Sequence, residues 1–510
     1  MNILSLLIAL PLFGSVAISL TRSAYLAKVF ALAIAVLELL ITIRAVQQFN
    51  ADDNSFQFVE NYTWIPSLNI HYQLGVDGIS ILFLPMTALL VVMAILASWR
   101  SVQSLCRLHF ALLLLLEACT IGVFSALDMI LFFVFWEMTL PPIFYLIGLW
   151  GIGPKRRLAA GKYTLFMLFG GVPLLIAIML LAINHANQIN GAIPQTLSFS
   201  FVTLVETPLP SEWQTMVFLL LMLGFAVKAP LVPFHTWLPT AAMEGPTQIT
   251  ALLTGLKLGV YGILRFAMPL APSAAIEYNW IMGILGAITL IYGALIALQQ
   301  SNLRRLLAYA SISHVGLVII GIASLNLQGI QGAILQLLNF TIIASSLMLI
   351  AGLIQQRLGS TEAVHLGGLA GVMPRLSCFY LLFALASIGI PGTNGFPAEL
   401  LLVLGTLLAH PSLGITALLG AVLSAAYMLS FIRRAFWGRY QQAHSGLTPD
   451  LQTRELVILF IPAVLVILVG FFPNSVIKTN QKTTEAWLSH LLLEPASHPA
   501  KASEISFYHQ

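Results

Sequence analysis

Lys228 and Lys257 both lie inside one long apolar stretch, Phe225 to Phe266, which reads FAVKAPLVPFHTWLPTAAMEGPTQITALLTGLKLGVYGILRF. Pro230, Pro233 and Pro239 follow the first lysine closely. A charge at mid-bilayer costs at least about 2.5–3.5 kcal/mol on insertion scales, so it faces a partner or water. A helix broken at that depth is tolerated only where protein or a wet cavity satisfies the freed backbone groups. A charge beside a break is the pattern of an ion path.

Other ionisable residues fit the same chemistry. Glu137 is alone in the apolar run LFFVFWEMTLPPIFYLIGLW. It is either a neutral, hydrogen-bonded packing group or one half of a buried pair, with Lys228 the expected partner. A Glu–Lys pair whose separation changes can pass a proton on or retain it. Lys228 and Lys257 sit too far along their runs to snorkel easily to a headgroup, and a desolvated lysine is a natural proton acceptor. His235 follows the first proline break, and His314 lies within LLAYASISHVGLVII. Each is either a proton relay or a histidine bonded to a backbone carbonyl. Glu399 follows SIGIPGTNGFPAEL, a second break with Pro391, Gly392, Gly395 and Pro397. It is either a helix-start carboxylate or a proton exit or uptake group. Glu117 and Lys162 are lesser candidates, and Tyr309, Ser311 and Ser313 are hydroxyls that either line the path or join helices.

Composition sets the frame for these residues. Of 510 residues, 59% are hydrophobic and only 8% charged, against roughly 25% charged in soluble domains. The expectation is an all-α, multi-pass integral membrane protein. The net charge of +4 does not imply nucleic acid. Cys106, Cys119 and Cys378 are isolated, which argues against an iron–sulfur or zinc site. Neither a P-loop nor a dinucleotide-binding glycine fingerprint is found. The first residues, MNILSLLIALPLFGSVAISL, carry no basic residue before the apolar run, so they are expected to form a retained first span.

Apolar runs of about 20 residues mark spans. They fall near 2–20, 26–47, 78–98, 108–125, 127–149, 162–183, 213–239, 245–267, 276–298, 305–325, 328–355, 375–407, 411–432 and 455–475. That is about fourteen, with the seventh and twelfth broken. Basic residues such as Arg100, Lys155, Arg156, Arg304, Arg305, Arg433, Arg434, Arg439 and Arg454 then fall on one side. Loops 48–77 and 184–212 have no Lys or Arg, so both termini are expected on the non-cytoplasmic side. Lys478, Lys482 and Lys501 run against this pattern. The paired breaks suggest two inverted five-helix repeats, helices 4–8 and 9–13, a known transporter plan. The expected divisions are 1–107, 108–267, 276–432, 433–475 and a loosely held polar tail at 476–510.

Five motifs in order, FWEMTLPPIFYLIGLWG, FAVKAPLVPFHTWLP, LKLGVYGILRF, RRLLAYASISHVGLV and IPGTNGFPAELLLVLG, resemble the antiporter-like proton-channel subunit 4 family of complex I-type oxidoreductases, which has bacterial, plastid and cyanobacterial members. The resemblance covers roughly residues 100–410. It implies fourteen helices in two inverted repeats, no cofactor on this chain, and proton translocation driven by quinone reduction elsewhere. Quinone, NAD(P)H or ferredoxin and iron–sulfur clusters would belong to partner subunits. The partners would be other antiporter-like and small membrane subunits, in a bacterial inner or thylakoid membrane. By motif position Glu137, Lys228, Lys257, His314 and Glu399 match the family's proton-pathway residues, and Lys162 matches the lysine after the basic loop. Three positions depart from the family. Pro239-Thr240-Ala241-Ala242 replaces a Pro-Asp-Ala-His run, Asn339 and Phe340 stand where a histidine is usual, and Gly245-Pro246 replaces Ala-Pro. The departures suggest a specialised variant, such as those of photosynthetic carbon dioxide uptake. The alternatives are a subunit of a multi-subunit cation/proton antiporter, a subunit of an energy-converting hydrogenase, and a scaffold whose charges only hold helices together.

Overall fold

The structure is a computed structural model that describes residues 2–190, 193–438 and 449–493. Arg439 and Lys501, and the tail beyond 493, lie outside the described residues. Among the described residues twelve helices are long and apolar enough to cross a membrane. The expected seventh and twelfth spans, each in pieces, are not among those twelve.

Burial divides the helices into a centre and a periphery. Leu303–Ala323 and Leu327–Leu358 are each 94% buried over their most apolar window, whereas Ile3–Leu20 and Ala24–Gln48 are 33% and 28% buried. Leu303–Ala323 packs along Asn279–Leu298, and Leu327–Leu358 along Gly395–Ala409 and Thr247–Gly255. The peripheral helices keep Leu, Ile and Phe on their outer faces, as apolar surroundings require.

The seventh span runs as Ser211–Lys228, loses regular structure at 229–233, makes a single turn at Phe234–Thr236 and resumes as Trp237–Glu244. Pro230 and Pro233 have no N–H to donate, so the ladder stops there. The twelfth runs as Pro374–Ser387 and Gly395–Ala409. Between them Gly389 and Gly392 have φ of +74° and +90°, a conformation glycine adopts without steric cost. Gly395 and Pro397 lie inside the second half, not in the break: proline suits a helix's first turn.

Four expectations are corrected here. The eighth span, read as one helix at 245–267, is broken: Thr247–Gly255 ends before Leu256, and a new helix starts at Leu258 after Lys257. No proline marks this break. The packing shows its cause, since a Cβ on Gly259 would lie 2.2 Å from the Ala229 amide nitrogen. The two interrupted spans therefore touch backbone to backbone at their breaks. Second, loop 48–77, given no structure in the sequence, holds an antiparallel hairpin, Gln57–Ile65 with Ile70–Val76, which turns at Asn69 in the left-handed region, a small addition to the all-α membrane fold. Its aromatic and β-branched alternation, QFVENYTWI and IHYQLGV, is a strand signal. Third, the third span starts at Phe83, not 78, because the Asp77 carboxylate accepts from the amides of Ile79 and Ser80 and holds a turn there. Fourth, Asn474–Leu493 is a packed helix, not a loose tail. Its polar residues face inward at one end: the Gly78 amide donates to Thr483, and the Trp487 indole donates to the Leu264 carbonyl.

Candidate proton-pathway site

Lys228 ends the first half of the seventh span. Its ammonium donates to the Trp136 carbonyl at 3.1 Å and to the Thr139 hydroxyl at 2.9 Å, and it lies 3.9 Å from the centroid of the Trp136 ring. The fifth span, Met129–Trp150, is interrupted at Thr139, where Pro141 and Pro142 supply no N–H. Lys228 thus binds the fifth span at its weak point. A cation over an indole gains about 0.5–2 kcal/mol, more when desolvated.

The expected Glu137–Lys228 contact is not made. Among the described residues no ion pair joins them, although Trp136 and Thr139 flank Glu137 in the chain. The half-buried Glu137 carboxyl instead turns to the helix Arg156–Gln188, where a Cβ on Gly171 would stand 2.4 Å from Oε1. Gly171 is needed to seat it. Oε1 is buried with no hydrogen-bond partner among the described residues. The two charges are close enough to act on each other electrostatically, with Thr139 and Trp136 holding the lysine.

A cavity beside Lys228 reaches the neighbours of the next lysine in the chain. Thr120, Thr139, Tyr163, Lys228, Trp237, Leu256 and Leu258 line it, and the last two flank Lys257. Lys257 sits in the break of the eighth span, 5% exposed, and its ammonium donates to Ser311 Oγ at 2.5 Å. The Phe340 ring lies 5.4 Å away. Ser311 is one turn before His314 on Leu303–Ala323, and both line a second cavity with Gln336, Asn339 and Ser387. His314 Nε2 lies 3.5 Å from Ser424 Oγ, which lies 3.1 Å from the Tyr427 hydroxyl and donates to the Ser387 carbonyl. Glu399 lies within electrostatic range of Tyr427. Its carboxyl rests on the twelfth-span break, where a Cβ on Gly389 would meet Oε2 at 2.3 Å.

The structure thus joins Lys257 to Ser311, one turn from His314, and His314 through Ser424 to Tyr427, with Lys228 and Glu137 to one side and Glu399 on the twelfth-span break to the other. His235 and Lys162 stand at the far side of the seventh-span break. The Lys162 ammonium donates to the Thr236 carbonyl at 2.7 Å and to Thr240 at 3.1 Å. The His235 ring is 5.0 Å from that of Tyr292 and 6.4 Å from that of Tyr309. Ser313 bonds the Leu290 carbonyl and joins helices. Glu117 stands apart from these groups: it is fully buried among the N-terminal helices, near Glu38.

Several participants went unrecognised in the sequence: Trp136, Thr139, Ser387, Ser424 and Tyr427. Hydroxyls are common in membrane helices and carry no signal by type alone. Asn339, noted only as a departure from the family, has a clear structural role. Its amide donates to the Asn394 carbonyl at 2.7 Å, and the Asn394 amide donates back to Asn339 at 2.8 Å. This reciprocal pair fixes the break of the twelfth span. Among the described residues no group of three or more His, Cys, Asp or Glu could hold a metal ion.

Residues 126–424 match the family described as NADH:quinone oxidoreductase/Mrp antiporter, transmembrane. The chain is 36% identical to the NADH-ubiquinone oxidoreductase chain 4 of Chondrus crispus, over 91% of this chain and 93% of that one. The chain belongs to this family. It is also 34% identical to the F(420)H(2) dehydrogenase subunit M of Methanosarcina mazei, over 95% of this chain and 98% of that one. Among solved structures, respiratory complex I from Thermus thermophilus with bound NADH contains a chain that superposes with a TM-score of 0.86 at 30% identity, covering 96% of this chain and all of that one. Family membership and the twelve apolar helices make this an integral, multi-pass membrane protein of the complex I membrane arm type.

Proposed function

We propose that this chain translocates protons as a membrane subunit of a complex I-type quinone oxidoreductase, through Glu137, Lys228, Lys257, His314 and Glu399. The observation that carries the reading is the contact of Lys257 with Ser311, which lines a cavity with His314, one helical turn on, and with Ser387 of the broken twelfth span. Among the described residues the polar partner of the Lys257 ammonium is a neutral hydroxyl, so no opposite charge touches it. Such a group takes up and gives away a proton in response to charges placed nearby.

In the mechanism, a change of charge from a neighbouring subunit moves Lys228 between two partners. In one state it rests on Thr139 and Trp136; in the other it pairs with Glu137. Its approach or withdrawal alters the proton affinity of Lys257 through their electrostatic interaction. The proton then passes by Ser311 and His314, past Ser424 and Tyr427, to Glu399. His235 and Lys162 serve uptake at the seventh-span break. The chain carries no cofactor in this reading, and electron transfer belongs to partner subunits. The relatives' donors differ, NADH in one name and F(420)H(2) in another, which fits a chain that handles only protons. The repeats are assigned to 108–267 and 276–432, with both termini on the non-cytoplasmic side.

The test replaces Glu137 by Gln and Lys228 by Ala in native membranes and measures electron transfer and proton pumping together. The expected result is an assembled complex that oxidises its donor while pumping is lost. Intact pumping in both variants would refute the mechanism. Sodium-dependent pH change without any electron donor would instead favour a cation/proton antiporter.

A further inference from the structure

Among the described residues neither Lys228 nor Lys257 has an opposite charge in ion-pair contact. Each has instead a hydroxyl and an aromatic ring: Thr139 and Trp136 for Lys228, Ser311 and Phe340 for Lys257. The hydroxyls serve the proposed path, whereas the Phe340 ring has no part in it.

Phe340 lies on Leu327–Leu358 and is buried. Its two chain neighbours are each bonded to a different broken span. Asn339 donates to the Asn394 carbonyl at the twelfth-span break. The Thr341 hydroxyl donates at 3.4 Å to the carbonyl of Gly255, where the first piece of the eighth span ends. The helix is thus pinned on either side of residue 340, which fixes where the ring stands. The ring centroid lies 5.4 Å from the Lys257 ammonium and 5.5 Å from the centroid of the His314 ring. The first distance is within the range of a cation over a ring, the second within that of an aromatic pair. One side chain therefore touches both groups that the Ser311 hydroxyl is proposed to link.

A ring face attracts a cation without being able to accept its proton. A carboxylate in the same place would hold the ammonium far more tightly and would compete for the proton. We propose that Phe340 is a positioning residue for proton transfer. Its ring holds the Lys257 ammonium against Ser311 and steadies the His314 ring that follows, and it takes no proton itself. The contact stands on the geometry; its effect on transfer rests on the proposed pathway.

The intact complex tests both parts. Phe340→Leu keeps most of the bulk and loses the ring face, and Phe340→Tyr keeps the face. Should Phe340→Leu not assemble, Phe340→Met takes its place. The contact is read from unfolding temperatures in a double-mutant cycle with Lys257→Met. Phe340→Leu should lower the unfolding temperature by less when residue 257 is already Met. Equal lowering in both backgrounds overturns the contact. Transfer is read as protons moved per electron in vesicles, scaled to the part of that ratio that Lys257→Met loses. Phe340→Leu should lose at least half of that part while quinone reduction continues, and Phe340→Tyr should retain it. A side chain that only fills space would give Leu and Tyr the same pumping, and that result overturns the positioning role. Full pumping in Lys257→Met would mark failure of the pathway and of the transfer role with it, while the unfolding temperatures still decide the contact.

Discussion

Among the described residues the Lys257 ammonium has a single polar contact, in a buried site, which sets its worth. A hydrogen bond to a charged group contributes about 1.5–3 kcal/mol, and Ser311 supplies it at 2.5 Å. Ser311→Ala removes that partner and should lower pumping several-fold while leaving electron transfer running, read as protons moved per electron in membrane vesicles. Thr139→Val acts on Lys228 in the same way, because the Trp136 carbonyl and ring remain as its other contacts. It should therefore cost less than Ser311→Ala. At this scale the sequence was informative about charges and silent about their partners. A lysine in an apolar run is conspicuous, whereas Thr139, Ser424 and Tyr427 look like any helix hydroxyl. The same limit explains Glu137: opposite charges in neighbouring spans suggested a pair with Lys228, but the missing Cβ of Gly171 opens a seat on another helix.

The breaks are the elements that position these residues, and their packing is tight. Gly259 abuts the Ala229 amide nitrogen and the Phe225 carbonyl, where an added Cβ would lie at 2.2 Å and 2.6 Å. Backbone on both sides cannot give way, so Gly259→Ala should separate the two broken spans and destabilise the fold by about 1–3 kcal/mol or more. A lowered unfolding temperature of the purified complex would register it. Asn394→Leu should loosen the twelfth-span break, since the buried Asn339 Oδ1 would lose the side-chain amide that donates to it, at about 1–3 kcal/mol, while the bond from Asn339 to the backbone carbonyl of residue 394 remains. Proline made the seventh break readable, and the glycine cluster did the same for the twelfth. The eighth span offered neither signal strongly: its break follows from helix–helix contact at Gly259, a tertiary cause that a single run of residues does not display.

Across the whole molecule, one end is tied by a buried ion pair that links distant parts of the chain. Arg265 meets Asp77 at 2.6 Å, with its guanidinium 4.6 Å from the Phe56 ring and 5.1 Å from that of Phe201. Hairpin, eighth span and C-terminal helix converge here, the last through Thr483 and Trp487. Removing one partner of a buried pair costs about 3–5 kcal/mol, so Arg265→Leu should reduce the amount of assembled complex, measured by native gel. The overall plan of membrane helices was readable from hydropathy because lipid imposes a fixed length on each span. The hairpin and the packed C-terminal helix were not, because half-polar segments acquire their order from what they cover.

The central claim is that buried ionisable groups pass hydrogen ions in succession, and Lys257 stands at the crossing between the two halves of the chain. The most direct measurement is the number of protons moved per electron in vesicles containing the complex with Lys257→Ala. The account predicts that quinone reduction continues while proton movement through this subunit stops. Proton movement equal to that of the unmodified complex would contradict it.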